Sequence, residues 1–79
     1  MNVLVTGATG FVGSHLIKAL SLTENNIFIT KRTASDLSKI DEYLKQITVF
    51  NIDLIDLSEV FQKQNFNVII HLASSYGRK

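Results

Sequence analysis

The sequence contains no cysteine, proline or tryptophan, and its 79 residues carry a formal net charge of only +1. Without cysteine the chain can form neither a disulfide framework nor a thiolate metal site, which fits a cytoplasmic protein. The small net charge argues against nucleic-acid binding through a basic surface. No apolar run approaches the roughly 18 residues of a membrane-spanning helix, and the first residues lack the basic start of a signal peptide. We therefore predict a cytoplasmic protein without a nucleic-acid or membrane partner.

Internal repeats, low-complexity tracts and linkers are also absent from the sequence. Hydrophobic residues make up 46% of the chain, which is enough for one small core at this length. We expect residues 1–79 to form a single domain of marginal stability.

Glycine is scarce as well, but three of the four glycines lie close together, at positions 7, 10 and 13. They fall in the stretch VTGATGFVGSHL of residues 5–16, between an apolar run and an amphipathic one. This pattern predicts a strand, a tight turn and a helix whose N-terminus can bind an anion, because its first N–H groups have no partner. A Cβ in the turn would hold a phosphate away from these amides. The alternative interpretation is an ordinary strand–helix turn with a closely packed helix start.

Apolar runs alternate with segments of helical spacing along the chain. The runs rich in β-branched residues predict strands over residues 1–6, 27–30, 47–50 and 68–72. Apolar residues three and four positions apart predict helices over residues 10–22, from Asp36 as N-cap to Lys45, and over 57–64. Asp56 and Glu59 have the spacing of a capping box at the third helix. The alternation predicts an α/β fold, a parallel sheet with helices on both faces.

Four segments carry a resemblance to a known family. Residues 6–16 (TGATGFVGSHL), 53–56 (DLID) and 68–73 (VIIHLA) are similar to T-G-x-x-G-F-[IV]-G-S-H-L, D-L-x-D and V-[IV]-[IV]-H-L-A. These are motifs of the extended short-chain dehydrogenase/reductases, the NAD(P)-dependent nucleotide-sugar epimerases and dehydratases. The resemblance is to the N-terminal half of that family and covers essentially the whole chain. Residues 74–78 (SSYGR) resemble a narrower group around the CDP-abequose and CDP-paratose synthases.

The resemblance implies a partial Rossmann-type sheet of four strands in the order 3-2-1-4, with a dinucleotide site. It implies that the amides of Phe11 and Val12 face the phosphates while their side chains pack into the core. It also implies that Asp53 accepts a hydrogen bond from the adenine amino group and that Leu54 touches the adenine ring. Small residues after the fourth strand would line a ribose. The implied cofactor-binding residues are Gly7, Thr9, Gly10, Phe11, Val12, Gly13, Lys31, Arg32, Asp53, Leu54, Leu72, Ala73 and Ser74.

Lys31, directly after the second predicted strand, stands at the position where NAD-preferring members of the family have an acidic residue, and Arg32 follows it. A carboxylate there would repel a 2′-phosphate, whereas a pair of cations neutralises it and arginine can bind it with two hydrogen bonds. NADP(H) is therefore favoured over NAD(H). The alternative is that both side chains are solvated loop cations.

The family's catalytic Tyr-x-x-x-Lys pair has no counterpart in the sequence. Tyr43 is followed four positions later by Ile47, and Tyr76 precedes only three more residues, the last being Lys79. We therefore expect no catalytic residue and no turnover by residues 1–79 alone. The predicted function is the NAD(P)-binding segment of a nucleotide-sugar epimerase, dehydratase or reductase, whose substrate binds only to a longer form. The alternative is a stand-alone dinucleotide-sensing or interaction module.

The two histidines and the metal motifs complete the sequence predictions. His71 lies in an apolar strand without a ligand-spaced partner and is interpreted as a buried histidine with satisfied hydrogen bonds, while His15 is a surface or packing residue. The sequence contains no H-E-x-x-H motif and no G-K-[ST] after the glycine turn. We therefore predict neither a zinc enzyme of that type nor a P-loop protein. In the predicted order, the fourth strand is an apolar edge that no proline protects. An edge of this kind favours the hypothesis that the chain is part of a larger enzyme over the hypothesis of a separate module.

Overall fold

β-Branched and other apolar residues form four short strands that are joined by helices. In a computed structural model, which describes residues 1–72, β1 spans Asn2–Thr6, β2 Asn26–Lys31, β3 Ile47–Asn51 and β4 Val68–His71. Helix α1 spans Phe11–Ser21, a 3-10 helix spans Ser38–Gln46, and helix α2 spans Leu57–Lys63. The predicted elements are all present within these residues, and most of their ends lie within one or two positions of the prediction.

The four strands form one parallel sheet in the order β3-β2-β1-β4. Val3 of the central strand pairs with Ile27 on one side and with Val68 on the other. The chain therefore runs outward from β1 to β3 and then returns past β1 to add β4. This confirms the predicted α/β Rossmann-type fold and its strand order. The reversal between β1 and β4 is the topological switch point, beside which such sheets bind ligands.

The main core lies between one face of the sheet and two helices. Val5 and Ile29 of the central strands pack with Ile17 of α1 and Ile40 of the 3-10 helix, and all four side chains are fully buried. This cluster fixes α1 against the sheet, so its N-terminus is held at the carboxyl edge of the strands.

The opposite face of the sheet carries a smaller aromatic cluster. Phe28 of β2 contacts Phe66 edge-on at a centroid distance of 5.2 Å, and Phe66 contacts Phe61 of α2 at 6.0 Å. Helix α2 contributes the buried Val60 but is only seven residues long. It leaves Ile69 of the edge strand β4 52% exposed, as expected for an unguarded edge.

The second predicted helix differs in its winding. Its apolar positions Leu37, Ile40 and Tyr43 lie three residues apart, and all pack toward the main core. That spacing matches the three residues per turn of a 3-10 helix. The expected N-cap residue, Asp36, lies one position before the actual N-cap, although its carboxylate accepts a hydrogen bond from the Ser38 N–H.

The predicted capping box at α2 is not formed. Asp56 is the N-cap residue, but its side chain makes no capping hydrogen bond. The Glu59 N–H, which a capping box would use, donates instead to the Asp56 backbone carbonyl over 2.9 Å. The tight first turn thus satisfies this donor without the carboxylate.

Candidate functional site

Gly7 directly follows β1 and has a conformation that other residues rarely adopt. Its φ is +76°, in the left-handed region that favours glycine. A Cβ at this position would also lie 2.5 Å from the carbonyl oxygen of Leu72, just after β4. Gly7 therefore allows both the turn and the close approach of two strand ends.

Gly13 is required by packing inside the turn. It is buried in α1, and a Cβ there would lie 2.5 Å from three backbone atoms of Ala8. The helix start thus rests directly on the loop that precedes it. For Gly7 and Gly13 the fold alone accounts for the glycine.

Gly10 has no such requirement. It is the N-cap of α1 with φ of −85° and ψ of −175°, an extended conformation open to any residue. A Cβ at Gly10 would meet no atom within 4 Å, so it would project into open space. The N–H groups of the first helical turn lie next to this space. Among residues 1–72, none of the N–H groups of residues 11–13 donates a backbone hydrogen bond.

The side chains of Phe11 and Val12 do not pack into the core, so that prediction was wrong. They are 69% and 65% exposed. The buried face of α1 is set by Gly13 and Ile17, and Phe11 lies on the opposite side of the helix at 3.6 residues per turn. Its ring instead contacts His15, a surface residue as expected, at a centroid distance of 4.5 Å.

A cavity of about 250 Å³ opens at the carboxyl edge of the sheet. Five of the predicted site residues line it: Gly7, Thr9, Lys31, Arg32 and Leu72. The lining also includes five residues that the sequence analysis did not assign to the site: Thr6, Thr30, Ser35, Ile52 and His71. Most of these additional residues end a strand or directly follow one. Their position in the sequence could have identified them, because the carboxyl ends of parallel strands meet at one edge of the sheet.

The other predicted residues lie outside the cavity lining. Gly10, Phe11, Val12 and Gly13 belong to the adjoining start of α1. Asp53 and Leu54 follow β3, and the Leu54 side chain is almost fully exposed. Ala73 and Ser74, together with the whole 74–78 segment, lie outside the described residues.

Asp53 is paired with the loop that follows β2. Arg32 Nε donates a hydrogen bond to Asp53 Oδ1 over 2.7 Å, and the Thr33 N–H donates to Asp53 Oδ2 over 2.7 Å. These donors, the Thr33 N–H foremost, hold the pKa of the Asp53 carboxyl below its usual value. The site therefore carries an ionised carboxylate beside its cations.

Further hydrogen bonds fix the loops after β2 and β3. The Arg32 N–H donates to Ser35 Oγ over 2.9 Å, and the Ser35 N–H donates back to the Arg32 carbonyl over 3.0 Å. The Asp53 N–H donates to Asn51 Oδ1 over 2.9 Å, while Asn51 Nδ2 donates to Thr33 Oγ1 over 3.1 Å. Both sides of the Arg32–Asp53 pair are thus held in place.

The prediction that His71 is buried was wrong. Its side chain is exposed and lines the cavity, and His71 Nδ1 shares a hydrogen bond with Thr6 Oγ1. The burial expected for an apolar strand does not apply, because β4 is the edge strand and the short α2 does not cover the side of β4 that carries His71. The expected hydrogen bond of the ring is present.

Residues 1–72 contain no group of three or more histidine or acidic side chains placed to hold a metal ion. Within the same part of the chain, no helix has the length and apolar character needed to cross a bilayer.

Known proteins resemble this chain in sequence and in fold. Residues 3–79 match the NAD dependent epimerase/dehydratase family. The chain is 33% identical to a CDP-abequose synthase of Salmonella muenchen and 33% identical to a UDP-glucose 4-epimerase of Caenorhabditis elegans. These matches cover 98% and 94% of this chain but 25% and 26% of the relatives, so the chain spans about a quarter of their length. The structure of a UDP-glucose 4-epimerase from Thermotoga maritima superposes with a TM-score of 0.76 at 21% identity, over 96% of this chain and 25% of that one, and shows the same fold. By its family match over nearly all of its length, the chain belongs to the NAD dependent epimerase/dehydratase family.

Proposed function

We propose that this chain is the dinucleotide-binding part of an enzyme that acts on a nucleotide sugar. The observation that carries the proposal is Gly10, a glycine that the fold does not need, at the open N-terminus of α1. The absence of a Cβ there leaves room for a phosphate to reach the first amides of the helix. Membership of a family described as NAD dependent supports the same reading.

The size of the cavity suits one part of such a cofactor and not the whole molecule. The cavity of about 250 Å³ is smaller than the roughly 300–1,000 Å³ of pockets that hold a whole drug-sized ligand. We assign it to the adenosine end, with the diphosphate over the first turn of α1 at Gly10, Phe11 and Val12. Beside the cavity, the carboxylate of Asp53 and the exposed Leu54 would contact the adenine. Leu72, with Ala73 and Ser74 beyond it, would line the cofactor ribose.

NADP(H) is favoured over NAD(H) in this proposal. Lys31 and Arg32 both line the cavity at the end of β2, where their charges would neutralise a 2′-phosphate. Asp53 offsets part of that charge but occupies only the Nε side of the Arg32 guanidinium. The terminal nitrogens of that side chain keep their donors for a phosphate.

The residues of this chain would bind and orient the cofactor, and they supply no acid or base. When bound, the nicotinamide would transfer a hydride to or from a sugar carbon. In the family that the chain resembles, a tyrosine–lysine pair makes the accompanying proton transfer, and we find no such pair in residues 1–79. We therefore expect no turnover by this chain alone and place nucleotide-sugar binding in a longer form. Cytoplasmic localisation and the absence of a nucleic-acid partner stay predictions from composition.

A two-dimensional amide NMR titration of the chain with NADP⁺ and NAD⁺ tests the proposal. We expect dispersed resonances, with shifts at residues 7–13 for both cofactors and at Lys31 and Arg32 chiefly for NADP⁺. The Gly10→Ala variant is the control and should need at least about tenfold more cofactor for the same shifts, while keeping the dispersion. A dispersed spectrum that neither cofactor changes would contradict dinucleotide binding and favour the alternative, an interaction module.

A further inference from the structure

Arg32 and Asp53 differ in their relation to the cavity. Arg32 lines the cavity, whereas Asp53 does not. The Arg32 side chain is 70% exposed and that of Asp53 is 31% exposed, so the carboxylate is the more buried partner. The carboxylate therefore contacts the guanidinium from the protein side of the site.

The contact uses one side of the guanidinium, and no residue among 1–72 accepts a hydrogen bond from the other side. Nε donates to Asp53, and the two parallel N–H groups at the end of the guanidinium, one from each terminal nitrogen, point away from that contact. A guanidinium with a fixed plane can meet a phosphate with two parallel hydrogen bonds. A side chain that is oriented before the ligand arrives also loses less rotational freedom on binding.

We propose that Asp53 is a positioning residue for Arg32, and that the pair selects dinucleotides that carry a 2′-phosphate on the adenosine ribose. This inference rests on the proposed function, because it assumes that a dinucleotide occupies the cavity. Asp53 acts through Arg32. The Thr33 N–H holds the carboxylate in turn, and Asn51 Oδ1 accepts a hydrogen bond from the Asp53 backbone N–H. The carboxylate uses two of its roughly four acceptor positions, so a further contact with adenine is compatible with this role.

The negative charge of Asp53 works against phosphate binding but is the weaker effect. It faces Nε and not the end of the guanidinium where the two terminal nitrogens lie side by side, and both side chains are partly open to solvent and salt. Orientation acts directly on the hydrogen bonds to the phosphate. Removing the carboxylate should therefore lower the preference for the 2′-phosphate rather than raise it.

The test measures the ratio of NADP⁺ to NAD⁺ affinity by isothermal titration calorimetry. The two probes differ only in the 2′-phosphate, so an adenine contact cancels in the ratio. We expect wild type to prefer NADP⁺ by about tenfold or more, the order of one hydrogen bond between charged groups. Asp53→Asn should lower the ratio to about threefold or less, and Arg32→Ala should lower it to about one. Asp56→Asn, which removes the same charge three residues away, should keep the wild-type ratio.

Two further measurements check the Arg32–Asp53 contact directly and replace Asp53→Asn if that variant does not fold. The Arg32 Nε–H resonance should shift or broaden in Asp53→Asn and stay unchanged in Asp56→Asn. If Asp53→Asn loses its dispersed spectrum, Arg32→Lys replaces it, since this exposed position tolerates the change. Arg32→Lys retains the charge but lacks the fork, so the oriented two-hydrogen-bond contact that the inference requires predicts a loss of the ratio, and charge alone predicts none.

The outcomes separate the inference from the proposed function. If wild type binds neither cofactor, the proposed function fails and the inference falls with it. If wild type binds both with equal affinity, dinucleotide binding stands and the inference is overturned. The inference is likewise overturned if Asp53→Asn or Arg32→Lys keeps the wild-type ratio.

Discussion

Replacing Gly10 or Gly13 by alanine should separate the binding role of the glycine turn from its packing role. At Gly10 the new Cβ meets no atom within 4 Å. Alanine restricts the unfolded chain, which stabilises by about 0.4–1 kcal/mol, but is a poorer N-cap than glycine, which costs roughly 0.5–1 kcal/mol. The two effects offset each other, so the free energy of unfolding should stay within about 0.5 kcal/mol of wild type.

At Gly13 the balance is different, because the new Cβ would lie 2.5 Å from the backbone of the fully buried Ala8. Overpacking costs about 1–3 kcal/mol, and backbone atoms cannot move aside as a flexible side chain can, so the cost lies at the upper end. Alanine returns about 1 kcal/mol in helix propensity. The net loss is about 2 kcal/mol, which lowers Tm by about 8–16 °C in a domain of this size.

Thermal unfolding followed by circular dichroism measures the change in stability. Calorimetric titration with NADP⁺ measures the change in cofactor affinity. Calorimetry suits this chain because it has no tryptophan to report binding. Gly10→Ala should bind at least about tenfold more weakly, since losing one amide–phosphate hydrogen bond costs about 1.5–3 kcal/mol. A Gly10→Ala variant that melts as low as Gly13→Ala, or that binds like wild type, would refute the reasoning.

Three more substitutions have defined outcomes. Gly7→Ala should destabilise more than Gly10→Ala, through its φ of +76° and the overlap with Leu72, and guanidinium chloride unfolding checks this; equal midpoints would contradict it. Because the folded-state pKa of Asp53 lies below its usual 3.8, its stabilisation is present above that value and lost as the pH falls through the lower one. The Tm difference between wild type and Asp53→Asn should therefore shrink between pH 6 and pH 3, and a constant difference would argue against the pair. Ile69→Lys should reduce self-association in sedimentation velocity, because it places a charge on the exposed edge strand β4. The same change at Thr48, on the other edge strand, is the control. Identical association of wild type and Ile69→Lys would exclude the β4 edge as the contact.

The sequence was sufficient to predict the sheet because its signals are local and strong. Each strand is a short apolar run bounded by polar residues, and the connection of parallel strands through helices restricts the order of the strands. The glycine turn was equally clear. Its three glycines could not be told apart, however, because only tertiary contacts distinguish Gly10 from Gly7 and Gly13.

The errors concern positions at which distant parts of the chain decide the environment. Phe11 and Val12 are apolar, but the face of α1 that is buried depends on where the sheet lies. His71 sits in an apolar strand, yet its exposure follows from the short helix beside that strand. The pairing of Arg32 with Asp53, 21 residues apart, has no local signature, because it arises only when the loops after β2 and β3 come together.

The central position of β1 has a consequence for how the protein folds. One side of this strand pairs with β2, about two dozen residues along the chain, but the other waits for β4, where Val3 meets Val68. Closing that long loop costs entropy before any contact is gained, and such distant pairings slow folding. We expect an early species in which β3, β2 and β1 are joined while the central strand β1 still has an open edge. In that interval β1 could pair with a strand of another molecule, so the yield of folded protein should depend on its concentration during refolding.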